Sequence, residues 1–178
     1  MIQLILQVFW FFLPAGIANM APVLFKWVPF LDYPVDFNVK LRNKPLFGRN
    51  KTFRGFAASI ILAIIIVYIQ KTLYARTEYL AFVDYSAVNV LLLGFLMGFG
   101  ALLGDLVESF FKRRLSIAPG KNWVPFDQID WILGAVACVY FYVDISWSLV
   151  LAAFVIFGLL HPVINLVGYF LHFKKKRF

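Results

Sequence analysis

The chain has 178 residues, 62% of them hydrophobic and 15% charged, with a mean hydropathy of +0.82. An ordinary soluble domain carries about a quarter charged residues, so this composition excludes one and implies an integral membrane protein. The net charge of +8 does not imply nucleic acid, because the basic residues are placed between apolar blocks and follow the membrane.

Crossing about 30 Å of hydrocarbon takes about 20 residues of helix. In chain order the apolar blocks predict five helices, at about 2–24, 54–72, 86–114, 126–143 and 147–172. The first has no basic residue before it and reads as a retained helix, not a cleaved leader. In the third, the pairs Gly94/Gly98 and Gly100/Gly104 are spaced to let neighbouring helices approach closely. The last two share one apolar stretch that would overshoot any bilayer unless it folds back, and Asp144 marks the turn. The expected fold class is therefore an all-α integral membrane protein, a single polytopic domain over 1–178, lying in the cell membrane as a multi-pass protein.

Of the 17 Lys and Arg, all but Lys71 and Arg76 fall between helices one and two, between helices three and four, or in Lys174 to Arg177. The positive-inside rule then places the amino terminus outside and the carboxyl terminus in the cytoplasm. It also makes two long loops cytoplasmic, at about 25–53 and 112–125, and loops of that length are candidates for function. Cys138 is the single cysteine and sits in an apolar block, so no disulfide framework or thiolate metal site is available. His161 and His172 read as packing or interfacial residues.

The first loop ends in KLRNKPLFGRNKTFRGF, Lys40 to Phe56. Thr52 is placed to cap the next helix, and the amides of that helix start, flanked by Lys51 and Arg54, suit phosphate oxygens. A basic juxtamembrane loop that holds anionic lipid heads is the alternative. In the second loop region Asp105, Glu108, Ser109 and Lys112 stand at i, i+3, i+4 and i+7, on one face if the third helix continues into the cytoplasm. Asp127 and Asp130 fall at i and i+3 after Pro125, a residue suited to a helix start.

Ion pairing and helix-dipole complementation are the structural account of these acids, and both are worth little at a wet surface. Carboxylates near hydrocarbon are costly, so several converging at one depth favour a functional account. Hard carboxylate oxygens suit Mg²⁺, which takes one or two of them together with substrate phosphates, while Lys and Arg neutralise the phosphates. Phosphoryl or nucleotidyl transfer fits that set, since an ionised phosphate nucleophile needs positioning and charge neutralisation more than a base.

The stretch GDLVESFFKR, followed by a Pro-preceded DQID, resembles the cytidylyltransferases that form CDP-alcohol lipids, whose signature is S-x-x-K-R and a later D-R-x-D. Ser109, Lys112, Arg113, Asp127 and Asp130 match it. The short length, five helices and PLFGRNKTFRG from Pro45 to Gly55 look most like the CDP-archaeol synthase branch. The resemblance implies transfer of a cytidylyl group from CTP to an ether-linked isoprenoid glycerol phosphate, with release of pyrophosphate and a need for Mg²⁺. It departs from the bacterial relatives, which carry a Lys-Asp pair and a Pro-Gly-His-Gly-Gly segment where this chain reads SIAPGKNW and VPF, and Gln128 stands at the family's Arg.

On that footing Asp127 and Asp130, helped by Asp105 or Glu108, are expected to hold the metal. Lys51, Arg54, Lys112 and Arg113 would bind the remaining negative charge, with Ser109 and Thr52 orienting phosphates. CTP, the lipid phosphate and membrane lipids are the expected partners, nucleic acid is not, and a homodimer is left open. A CDP-diacylglycerol synthase acting on phosphatidic acid is the alternative within the chemistry. A small cation-coupled transporter is the alternative outside it, disfavoured by apolar midplane positions.

Overall fold

The structure, a computed structural model, describes the backbone of residues 1–170 and the side chains of residues 1–160. The basic tail from Lys174, His172, the His161 side chain, the expected helix end near 172 and the sidedness of the carboxyl terminus lie outside the described residues. Five helices make up most of the fold: α1 (Ile2–Leu24), α2 (Phe53–Thr77), α3 (Val90–Arg114), α4 (Phe126–Val139) and α5 (Trp147–Phe170). Among the described residues, three are long and apolar enough to cross a membrane: α1, α2 with the 3-10 turn Glu78–Leu80 that extends it, and α3.

Local chemistry sets the helix starts. Thr52 is extended, at φ −116°, and its Oγ1 accepts the Gly55 amide at 3.2 Å, so α2 begins at Phe53. Asn89 does the same for α3 through the Leu92 amide at 3.1 Å, which moves that helix start from the expected 86 to Val90. Pro125 precedes α4, with Asp127 in its first turn. The fourth helix ends at Val139 where the hydropathy predicts 143; its 14 residues reach about 21 Å. The chain turns at 140–142 instead, with the Tyr142 amide on the Val139 carbonyl at 2.9 Å.

The all-α expectation needs a second correction. A two-stranded antiparallel hairpin, β1 (Lys40–Leu41) and β2 (Lys44–Pro45), rises from the first loop, and its turn residues Arg42 and Asn43 both have positive φ, 51° and 61°. Strands of two residues are too short to show an alternating pattern, so nothing in the sequence announces them.

α3 lies between α2 and α4, and α1 packs on all four other helices. The expected close approaches occur on the two faces of α3. A Cβ at Gly98 would stand 2.9 Å from the Ser59 carbonyl oxygen of α2, and one at Gly104 would collide with the Asp130 carbonyl of α4. Apolar side chains fill the centre, among them Phe11, Phe12, Leu93, Met97 and Ile132. Ser59 donates to the Ala18 carbonyl at 2.6 Å and Gln70 to that of Trp10 at 2.5 Å, so buried polar atoms tie α2 to α1. The connections 25–52 and 115–125 meet at one end of the bundle, while 78–89 and 140–146 meet at the other, where the Asn89 amide donates to the Tyr142 hydroxyl at 2.7 Å.

Candidate active site

The first wall of the site is the loop 25–52. Asp36, buried at its centre, accepts the amides of Asn38, Phe47 and Gly48 at 3.0, 3.0 and 3.1 Å. Burial by itself would raise this carboxyl's pKa, but the amide hydrogen bonds outweigh it and hold the group below the ordinary carboxylate range. The Val35 amide donates to Lys51 O at 2.8 Å and the Phe53 amide to Tyr33 O at 3.0 Å, so the segment entering α2 is pinned along its length. Arg54 pairs with Asp32 at 2.8 Å and also donates to the Val28 carbonyl.

The last two turns of α3 form the second wall. Glu108, Ser109 and Lys112 are buried on one face, with Asp105 half-buried below them, as their spacing predicts, and Arg113 next along the chain is buried too. Phe111 faces out. The third wall is the first turn of α4 with the loop before it. Together the walls enclose a cavity of about 600 Å³ that all ten expected residues line: Lys51, Thr52 and Arg54 from the first wall, Asp105, Glu108, Ser109, Lys112 and Arg113 from the second, Asp127 and Asp130 from the third.

Charge is distributed unevenly inside it. Oxygens of Asp105, Glu108 and Asp130 lie within 4.8 Å of one another. Lys51 Nζ reaches Asp105 at 2.5 Å, and Lys112 Nζ bridges Glu108 at 3.0 Å and Asp127 at 2.8 Å. Asp127 stands outside the trio, because its other oxygen accepts the Trp123 amide at 2.8 Å. Three converging hard donors in a largely buried place fit a small divalent cation, and they repel one another without positive charge nearby. Arg113, 6% exposed, keeps Nε and Nη1 buried with no hydrogen-bond partner among the described residues. A buried guanidinium in that condition suits an anion.

Sequence reasoning missed Asn19, Lys26, Asp32 and Arg49, which also line the cavity. Asn19 carried a readable signal, a polar residue near the end of an otherwise apolar block. A second cavity, of about 520 Å³, runs between α3 and α4 and is walled by Leu103, Val107, Phe111, Ile129 and Leu133. Glu108 and Asp130 line both cavities, so the polar chamber and the apolar groove adjoin at the acids.

A helix bundle whose charged chamber adjoins an apolar groove at shared acids has the form of a membrane enzyme. The family model described as CarS-like, CDP-archaeol synthase, matches residues 1–178. A CDP-archaeol synthase of Pyrococcus furiosus is 34% identical over 171 residues, 96% of each chain. Another, of Pyrobaculum islandicum, is 33% identical over 178 residues, covering 96% of this chain and 99% of the relative. A solved structure, described as an intramembrane enzyme for archaeal membrane lipids biosynthesis, superposes with a TM-score of 0.65 at 29% identity, covering 89% of this chain and 92% of that one. The chain belongs to the CDP-archaeol synthase family, and is a multi-pass membrane enzyme of the nucleotidyltransferase class.

Proposed function

We propose that the protein transfers CMP from CTP to an ether-linked isoprenoid glycerol phosphate, giving a CDP-archaeol-type lipid and pyrophosphate. The observation that supports this most is the meeting of the two cavities at Glu108 and Asp130, which puts a polyphosphate chamber and a groove for apolar chains on either side of the same acids. The chamber takes the triphosphate. Arg113 offers its unpartnered N–H groups to phosphate oxygens, and Lys112, held between Glu108 and Asp127, presents a fixed ammonium beside it. Lys51 and Arg54 supply positive charge from the opposite wall, with Ser109 and Thr52 as hydroxyl partners.

Asp105, Glu108 and Asp130 would hold Mg²⁺, which when bound neutralises polyphosphate charge that this many carboxylates otherwise repel. Asp127 acts at one remove by orienting Lys112. The lipid phosphate enters sideways with its chains in the α3–α4 groove, and an oxygen of it attacks the α-phosphorus in line. The new P–O bond forms as the bond from the α-phosphorus to the bridging oxygen breaks, and pyrophosphate leaves against the same cations. CTP is a cytosolic solute too charged to cross hydrocarbon, so residues 25–52 and 115–125 face the cytoplasm and the amino terminus, at the other end of α1, lies outside.

Incubating the purified protein with labelled CTP, Mg²⁺ and a panel of lipid phosphates tests this reading. Labelled lipid is expected with the isoprenoid ether phosphate and much less with ester-linked phosphatidic acid. The reverse preference would overturn the lipid assignment, and no labelled lipid with any acceptor would overturn the activity.

A further inference from the structure

The walls of the chamber come from chain segments far apart in sequence, and something must fix their separation. Arg114, the last residue of α3, spans the base of the hairpin: Nη1 donates to Leu41 O at 2.6 Å, and Nη2 to Pro45 O at 2.5 Å and Lys44 O at 3.3 Å. Lys44 answers from the hairpin, its Nζ donating to Arg114 O at 3.1 Å and to Ser116 Oγ at 2.6 Å. The Arg114 guanidinium also lies 5.2 Å from the Phe110 ring centroid, which holds its plane. Neither Arg114 nor Lys44 lines the chamber.

Resting on the activity proposed above, we infer that Arg114 and Lys44 are positioning residues, a reciprocal clasp that sets the distance between the two walls of the nucleotide chamber. The connection to the chamber is short. One residue before Arg114 is Arg113, two before is Lys112, and both line the chamber. On the other side, β2 leads through Leu46, bonded to Val39 O at 3.0 Å, to Phe47 and Gly48 on the Asp36 carboxylate, and so to Lys51 and Thr52. The clasp therefore acts on the separation of Lys51 and Thr52 from Lys112 and Arg113, without touching the lipid groove. Its planar fork is essential, since Nη1 and Nη2 reach carbonyls of both strands at once, whereas an ammonium offers a single nitrogen.

The test compares Arg114→Ala and Arg114→Lys with Arg42→Asn, a control that removes the same charge from the exposed hairpin tip with a residue suited to positive φ. Two readouts are taken on protein in nanodiscs: amide hydrogen exchange over residues 46–51, and KM and kcat with CTP and lipid phosphate varied in turn. Both Arg114 variants should exchange faster there and show a CTP KM raised about tenfold, with kcat and lipid KM within about twofold, as loss of charge-assisted hydrogen bonds predicts. Arg42→Asn should match the wild type. Unchanged exchange in Arg114→Ala overturns the clasp whatever the activity. Faster exchange with an unchanged CTP KM, or equal loss for both substrates, overturns the positioning role, and wild-type kinetics in Arg114→Lys would mean charge suffices without the fork. A wild type that makes no labelled lipid defeats the activity reading instead and leaves the exchange result to decide the clasp.

Discussion

Both ends of the bundle are closed by loops over the same helices, yet they treat charge differently. At the far end, Lys71 donates to the Ser86 and Val88 carbonyls at 3.1 Å each, and Asp84 accepts from Ser86 two residues away. Those contacts lie within the loop or tie it to α2, and neither charged group, Lys71 nor Asp84, is buried. At the other end, Glu108, Lys112, Arg113 and Asp130 are all buried, and pairs such as Lys51 with Asp105 and Lys112 with Asp127 join separate elements. Packing does not require such a set, and burying it costs stability unless a ligand uses it. The contrast separates charge that maintains a turn from buried charge that, under the proposed function, is held for a substrate.

If the contrast reflects sidedness, the largest effect to seek is all-or-none. Single cysteines at Asn50, Asn122 and Ser86, all exposed, in a Cys138→Ala background should react with an impermeant thiol reagent on sealed right-side-out cells only at Ser86. Labelling at Asn50 or Asn122 would reverse the ends. Next in size is Asp130→Asn, which removes one charge from the acid trio without changing its volume. Turnover should fall by about a hundredfold or more, with the thermal midpoint held. Near-normal turnover at saturating Mg²⁺ would remove Asp130 from the site.

A smaller effect comes from paired lysines. Lys51→Ala should raise the CTP requirement about tenfold, whereas Lys71→Ala at the far end should change neither substrate's KM by more than about twofold. Equal losses would erase the distinction between the ends. The smallest effect concerns Asp36, whose folded pKa is below its ordinary value of 3.8. A depressed carboxyl stabilises the fold above its unfolded pKa and ceases to as pH falls through the folded one. The thermal midpoint should therefore drop more steeply below pH 4 in the wild type than in Asp36→Asn, which has no carboxyl to protonate. Parallel profiles would remove Asp36 as a support of the first wall.

Much of this was legible in the sequence, for physical reasons that can be named. The helix blocks follow from hydropathy, and the face carrying Asp105, Glu108, Ser109 and Lys112 follows from the helical repeat once α3 is allowed to continue to Arg114. Thr52 was recognisable as a cap because its role is local. What stayed hidden depends on contacts between distant segments. Which acids converge could not be read, since Asp127 and Asp130 are equally spaced candidates until Lys112 and the Trp123 amide engage the first. The hairpin and Asp36 were likewise invisible, because strands of two residues leave no pattern and a lone Asp in a loop looks solvated. Arg114 counted only as one more cation until its three carbonyl partners were in view.

Under the proposed function, the chamber cleaves CTP at its α-phosphorus and passes CMP to a lipid phosphate. This is tested most directly by running the purified protein with Mg²⁺ and the isoprenoid ether phosphate in two parallel reactions, one with CTP labelled at the α-phosphate and one at the γ-phosphate. The α label is expected in the lipid fraction and the γ label in released pyrophosphate, in equal amounts. Label from the γ position in the lipid, or none from the α position, would contradict it.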